Sequence, residues 1–239
     1  VNAMKRLSDR ASEIATMADS SKGHSALSAY AMEVDQLLEE TLRLSNAKHR
    51  DVYIFSGTKS KDATYTATRN SDGEITATTF DGNSNSTKIG IAPSTSVDGN
   101  FSAEGTHGFL KNSSKGVDFI QHLIDLRDNL TISADTSLDK DANLAALTII
   151  KDTALGDLDQ DEVNFIDHFS SIGATLSRLE TSEAITKSQV ASIEPLVSNE
   201  ADVDLADSLV RLNEIQNAYT AALQSGGMLM KTSLLDYIR

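Results

Sequence analysis

Phe165, Phe169, Ile172, Leu176, Leu179, Val190, Ile193 and Val197 follow one another at intervals of three and four residues, with Glu183 and Thr186 in the two remaining places of the series. Apolar side chains at that spacing lie along one face of an α-helix. The seam predicts a helix from about Asp161 to Ile193, roughly 50 Å long at 1.5 Å per residue. A straight helix of that length cannot fold back over its own stripe. Other helices have to cover it, so the chain needs helical partners with matching seams.

Matching seams exist. Met4, Leu7, Ala11, Ile14 and Ala18 predict a first helix, which Ser20, Ser21 and Gly23 break. Leu27, Tyr30, Val34, Leu37, Thr41 and Leu44 predict a second, running to about Lys48. Phe119, Leu123, Leu126 and Leu130 mark a third. After the polar break SADTSLDKD, the stretch NLAALTIIKDTAL is again helical in texture. Pro195 predicts the end of the long helix or a kink in it. Ser198 or Asn199 then caps a last helix, with Leu205, Leu209, Leu212, Ile215, Tyr219, Ala222 and Leu223 as its stripe.

Between the second and third helices the period changes. ATYTATR and EITATTF are short β-type runs flanking NSDG, a good turn sequence. TKIGIA is a third strand candidate, and Pro93 with Gly99, Gly105 and Gly108 reads as loop. The fold class expected is mainly α with a β-rich insertion, an elongated antiparallel helical bundle or coiled-coil rod plus a small inserted β domain. The expected divisions are a helical rod over 1–57, the insert over 58–112, the rod again over 113–197 and a C-terminal assembly helix over 198–239.

Chemistry is sparse. The formal charge of −14 repels nucleic acid and anionic lipid. No apolar run reaches the roughly 18 residues of a membrane span. There is no cysteine, hence no disulfide, thiolate metal site or cysteine nucleophile. None of the five histidines, His24, His49, His107, His122 and His168, stands four residues from another. Asp81, Asn83 and Asn85 alternate as in a calcium loop. Ser86 and Ala92 stand where that loop needs Gly and Glu. Asp157, Asp159, Asp161 and Glu162 read as a helix start favoured by the macrodipole, on a solvated acidic face. No nucleophile, base and orienting group stand at a recognisable spacing, and no cofactor or metal is expected.

The C-terminus is the anomaly. From Ile215 to Met230 no residue is charged, and Leu234, Leu235, Tyr237 and Ile238 fall in the last six positions. Leaving such side chains in water forgoes roughly 1.5–3 kcal/mol each. Tyr219, Leu223, Leu229, Leu234, Leu235, Tyr237 and Ile238 are therefore the candidate interface residues, waiting for another molecule to cover them.

Several segments resemble one family. In EVDQLLEETLRLSN, the residues Glu33, Val34, Gln36, Glu40, Arg43 and Asn46 follow a flagellin helix pattern, with Thr41 where Ile is usual. SIGATLSRLE is similar to a flagellin stretch through Gly173, Ala174, Arg178, Leu179 and Glu180, with Ser177 in place of Asn. VYIFSG stands where filament flagellins carry an Asn-Gly turn, and resembles the flagellar hook-associated protein 3 family. Asp202, Asp204, Tyr219, Leu223 and the run Ser233, Leu234, Leu235, Asp236 and Tyr237 follow that family's C-terminal order. The resemblance implies an extracellular structural subunit of the bacterial flagellum at the hook–filament junction. It implies export through the flagellar type III channel, with the aid of a chaperone, and assembly with copies of itself, hook-associated protein 1 and flagellin. It implies no catalysis. With Val1 in first place, the family's leading helices are expected to lie before this sequence. A filament flagellin with a short outer domain is the nearest alternative, followed by an extracellular coiled-coil adhesin.

Overall fold

The structure is a computed structural model that describes residues 2–92 and 94–237, with side chains for all of these except 200–204 and 231–237. By contacts it forms two units, Val1–Leu179 and Glu180–Arg239.

The first unit opens with α1 (Asn2–Met17) and α2 (His24–Ser45). Each buries the expected stripe with its centre moved by about one residue. In α1 the small Ser8, Ala11 and Ala15 are buried, while Leu7 is only half-buried. In α2 the buried line is Leu27, Ala31, Val34, Leu38 and Thr41, with Tyr30, Leu37 and Leu44 beside it. In α1 the small side chains at the centre let neighbouring backbones approach. α2 packs chiefly on α3 (Phe119–Ala134), whose Phe119, Leu123, Leu126 and Leu130 are all fully buried. Asp118 caps α3 by accepting the amide hydrogen of Gln121. α4 (Lys140–Ile149) follows, then a π-helical turn at Ile150–Ala154 and the start of α5 (Leu155–Tyr237).

Among the described residues, nine short strands lie between α2 and α3. β1 (Lys48–His49) and β2 (Val52–Tyr53) form a hairpin, as do β3 (Tyr65–Arg69) with β4 (Ile75–Phe80) and β5 (Lys88–Ala92) with β6 (Thr95–Asp98). β7 (Glu104–Gly105), β8 (Lys111–Asn112) and β9 (Val117–Asp118) make a three-stranded sheet, parallel between β7 and β8 and antiparallel between β8 and β9. The expected NSDG turn is present. The Asn70 side-chain oxygen accepts the amides of Asp72 (3.0 Å) and Glu74 (2.9 Å), and Gly73 takes φ 89°.

Six of these strands were not expected, β1, β2, β6, β7, β8 and β9. β6 and β7 fall where Pro93 and the glycines read as loop. The β1–β2 turn places Arg50 and Asp51 at φ 50° and 63°, conformations usually given to Asn-Gly, so the usual signal is missing. Strand structure therefore begins ten residues before Thr58 and ends at Asp118. It also shares the helical core, because Tyr65, Ile75, Phe109 and Leu110 are buried in the same cluster as the helix residues.

The helix pattern and VYIFSG have structural reasons. Asn46, at the end of α2, donates to Tyr65 O at 2.9 Å and accepts from the amides of Thr64 (2.8 Å) and Tyr65 (3.0 Å). One side chain thus ties the helix end to the first residue of β3. Glu33 holds Arg10 of α1 through two bonds of 2.5 and 2.9 Å. In VYIFSG, Phe55 stacks on Phe109 with ring centroids 5.2 Å apart, and its carbonyl accepts from Ala103 N at 2.8 Å. Gly57 has φ 64°, and a Cβ there would lie 2.0 Å from the carbonyl oxygen of Asn83. Only glycine fits.

Gly57→Ala should therefore destabilise the first unit. The left-handed φ alone costs about 1–3 kcal/mol for a side-chain-bearing residue, and the collision with Asn83 adds to it. Urea unfolding followed by circular dichroism reads this as a lower midpoint. Gly73→Ala, also at positive φ but in open space, should cost less.

Candidate assembly surface

α5 starts inside the core. Phe165 meets Phe109 and Phe119, each at a centroid distance of 5.1 Å. Leu158 and Phe165 are buried. Polar side chains between them are also buried and held by specific bonds. Asn164 accepts from Asn112 Nδ2 at 2.8 Å and donates to the carbonyls of Gly108 (3.2 Å) and Phe109 (3.0 Å). His168 lies 3.2 Å from the same Gly108 carbonyl and packs edge-on against Phe109. Asp161 pairs with His122 of α3 at 2.8 Å. Lys5 of α1 reaches Glu162 at 2.8 Å. Together these bonds join the beginning of α5 to α1, α3 and the loop between β7 and β8.

Asp161 corrects one expectation. The acidic run was read as a solvated helix start, yet α4, the π turn and α5 follow one another without a break, and Asp161 is fully buried. Burial, only partly offset by His122, pushes its carboxyl up to about 6. Burial also lowers His168. A second buried polar group, Arg127, joins Asp35 of α2 (3.1 Å) and the carbonyl of Ile75 in β4 (2.7 Å). No spacing rule marks Asn112, Asn164 or Arg127 in advance, since each is polar and bonds to groups far away in sequence, although Arg127 also holds its neighbour Asp128.

Beyond Phe165 the seam changes character. Phe169, Leu176, Val190, Ile193 and Val197 are exposed, although they continue the register that buries Phe165. Of the end or kink expected at Pro195, the end is absent, as is a new cap at Ser198 or Asn199, because α5 runs from Leu155 to Tyr237 with Pro195 inside it. The carbonyl that proline leaves without a donor belongs to Ala191, an exposed residue, where water can take the bond.

The described residues of the second unit are the remainder of α5. Every apolar side chain described in it is exposed, from Ile185 to Met230. Leu205, Leu209, Leu212, Ile215, Tyr219 and Leu223 recur at helical spacing and are each more than half exposed. Of the candidate interface residues, Tyr219, Leu223 and Leu229 therefore stand on the exposed helix. Leu234, Leu235 and Tyr237 lie on helical backbone whose side chains are outside the described residues, and Ile238 lies outside them altogether. Among the described residues no three His, Asp or Glu side chains group as metal ligands, and no helix is long and apolar enough to cross a membrane.

No protein-family model matches the chain, and no curated protein matches its sequence. Solved structures do. The crystal structure of FlgL from Xanthomonas campestris matches with a TM-score of 0.64 at 16% identity, over 83% of this chain and 91% of that one. Flagellar hook associated protein-3 from Legionella pneumophila matches with a TM-score of 0.55 at 15% identity, over 90% and 88%. A structure titled flagellar junction protein FlgL, also from Legionella pneumophila, gives 0.58 at 15% over 75% and 88%. The chain has the fold of these proteins.

The two parts of α5 should respond oppositely to mutation. Phe165→Ala removes a buried ring and should cost about 3–5 kcal/mol. Leu212→Gln on the exposed helix should stay within about 0.5 kcal/mol of the unaltered chain. Thermal unfolding of the two variants side by side measures both. Equal losses would mean that Leu212 is covered in the isolated subunit.

Proposed function

We propose that this chain is a structural subunit of the bacterial flagellum, placed at the junction between hook and filament. The observation that carries the proposal is the fold shared with flagellar hook-associated proteins over most of each chain. The order of the segments EVDQLLEETLRLSN, VYIFSG, SIGATLSRLE and SLLDYI supports it. VYIFSG favours the junction protein over a filament flagellin. The role needs no catalysis and no cofactor.

In this reading the exposed stripe of α5 is the assembly surface. Tyr219, Leu223, Leu229, Leu234, Leu235, Tyr237 and Ile238 pack against other subunits in the flagellar tube. A helix apolar over much of its circumference requires cover on several sides, and a lattice of repeating head-to-tail contacts provides it. The β-bearing part of the first unit faces outward. Neighbours along the axis are copies of this chain, hook-associated protein 1 and flagellin, reached after type III export with a chaperone.

Cells lacking the gene should carry hooks without filaments and lose flagellin to the medium, as seen by negative-stain microscopy and analysis of the medium. Deleting residues 233–239 should leave unfolding of the isolated subunit almost unchanged and abolish incorporation at the hook tip. Normal filaments on the deletion strain would overturn the junction role. An early-melting truncated subunit would assign the tail to the fold instead.

A further inference from the structure

His122 on α3 and Asp161 on α5 meet at 2.8 Å, Nδ1 to Oδ2. The carboxylate side chain is fully buried and the imidazole 13% exposed. Oδ1 of Asp161 has no hydrogen-bond partner, so the buried carboxyl rests on a single imidazole. The charges acting on the pair are mostly of one sign. Asp157 on α5 and Asp118 at the start of α3 both act on it. Lys111 of β8 is taken up by Asp118 at 2.8 Å. From α1, Lys5 is divided between Asp9 and Glu162, the residue after Asp161.

We propose that the His122–Asp161 pair is a proton-dependent latch fastening the beginning of α5 to α3. A buried carboxylate with one oxygen unsatisfied and acidic neighbours is strongly disfavoured unless a proton stays in the pair. Burial is the largest influence on Asp161 and outweighs the imidazole, raising the carboxyl from 3.8 to about 6. For His122, burial is opposed by the bond to Asp161 and the surrounding acids, which together raise the imidazole above 6.5. Both folded values exceed the unfolded ones, so the folded chain keeps protons that the unfolded chain releases. The pair's stabilisation is present in mild acid and lost as pH rises through the folded values. A salt-bridged carboxylate with a depressed pKa would do the reverse.

The test follows urea unfolding of the full chain from about pH 5.5 to about pH 8.5, the interval in which histidine titrates, beside Asp161→Asn. The unaltered midpoint should fall with rising pH relative to the variant's. Other titrating groups move both curves alike, so the difference carries the pair's share. Parallel curves overturn the latch. NMR titration of His122 in the unaltered chain decides the matter if the variant folds poorly. A midpoint above 6.5 supports the latch, and one at or below it removes the latch. Amide exchange, corrected for its intrinsic pH dependence, should accelerate more around residues 158–165 than in α2 on going to alkaline pH. Uniform acceleration contradicts a latch local to α5.

Discussion

The burial of Phe165 is the interaction on which the first unit depends. Its ring meets Phe109 from the loop before β8 and Phe119 from the start of α3, each at 5.1 Å, and Phe55 stacks on Phe109 in turn. Four segments far apart in sequence converge on this cluster: the end of VYIFSG, the β7–β8 loop, α3 and α5. The β-strands are too short to be stable alone, since isolated two-stranded hairpins are marginal in water. β3 and β4 hold because Tyr65, Ala67, Ile75 and Phe80 pack into the same core as the helix residues.

The polar groups around this cluster give it a single register. Asn164, His168 and Asn112 satisfy backbone carbonyls and one another, and Arg127 links α3 to α2 and β4. A greasy contact between helices can slide by a turn at little cost. A buried amide or guanidinium cannot, because a slip strands its bonding groups at about 1–3 kcal/mol each. Asp161 is the exception in this set, since one of its oxygens is left unsatisfied. Burial is what raises the affinity of its carboxyl for a proton.

α5 carries two opposite solutions of the same pattern. At Phe165 the seam is paid for by the chain's own core. At Phe169 and Leu176, and throughout the second unit, the same kind of apolar repeat is exposed, with Ile172 half-buried. A helix that presents Leu205, Leu209, Leu212 and Leu223 to water gains nothing from those side chains within the subunit. Such a stripe fits a subunit whose folding is completed by its neighbours, as the proposed place in a flagellar tube requires.

Spacing alone determined that the chain is helical at both ends and β-rich between, because a period of three and four against a period of two is a property of the backbone. The placement of α1, α2 and α3, the NSDG hairpin and the special character of the C-terminal stripe all follow from it. Tertiary structure decided the rest. It buried Ser8 in place of Leu7 in α1, and Ala31 and Leu38 in place of Tyr30 and Leu37 in α2, because close packing depends on what lies opposite and periodicity does not. It carried α5 through Pro195, where an exposed carbonyl can turn to water. It made a hairpin at Arg50 and Asp51 without the usual turn residues and buried Asp161 in a run of surface acids. It also divided one continuous seam into a buried part and an exposed part, for burial depends on what lies opposite, and no sequence repeat records that.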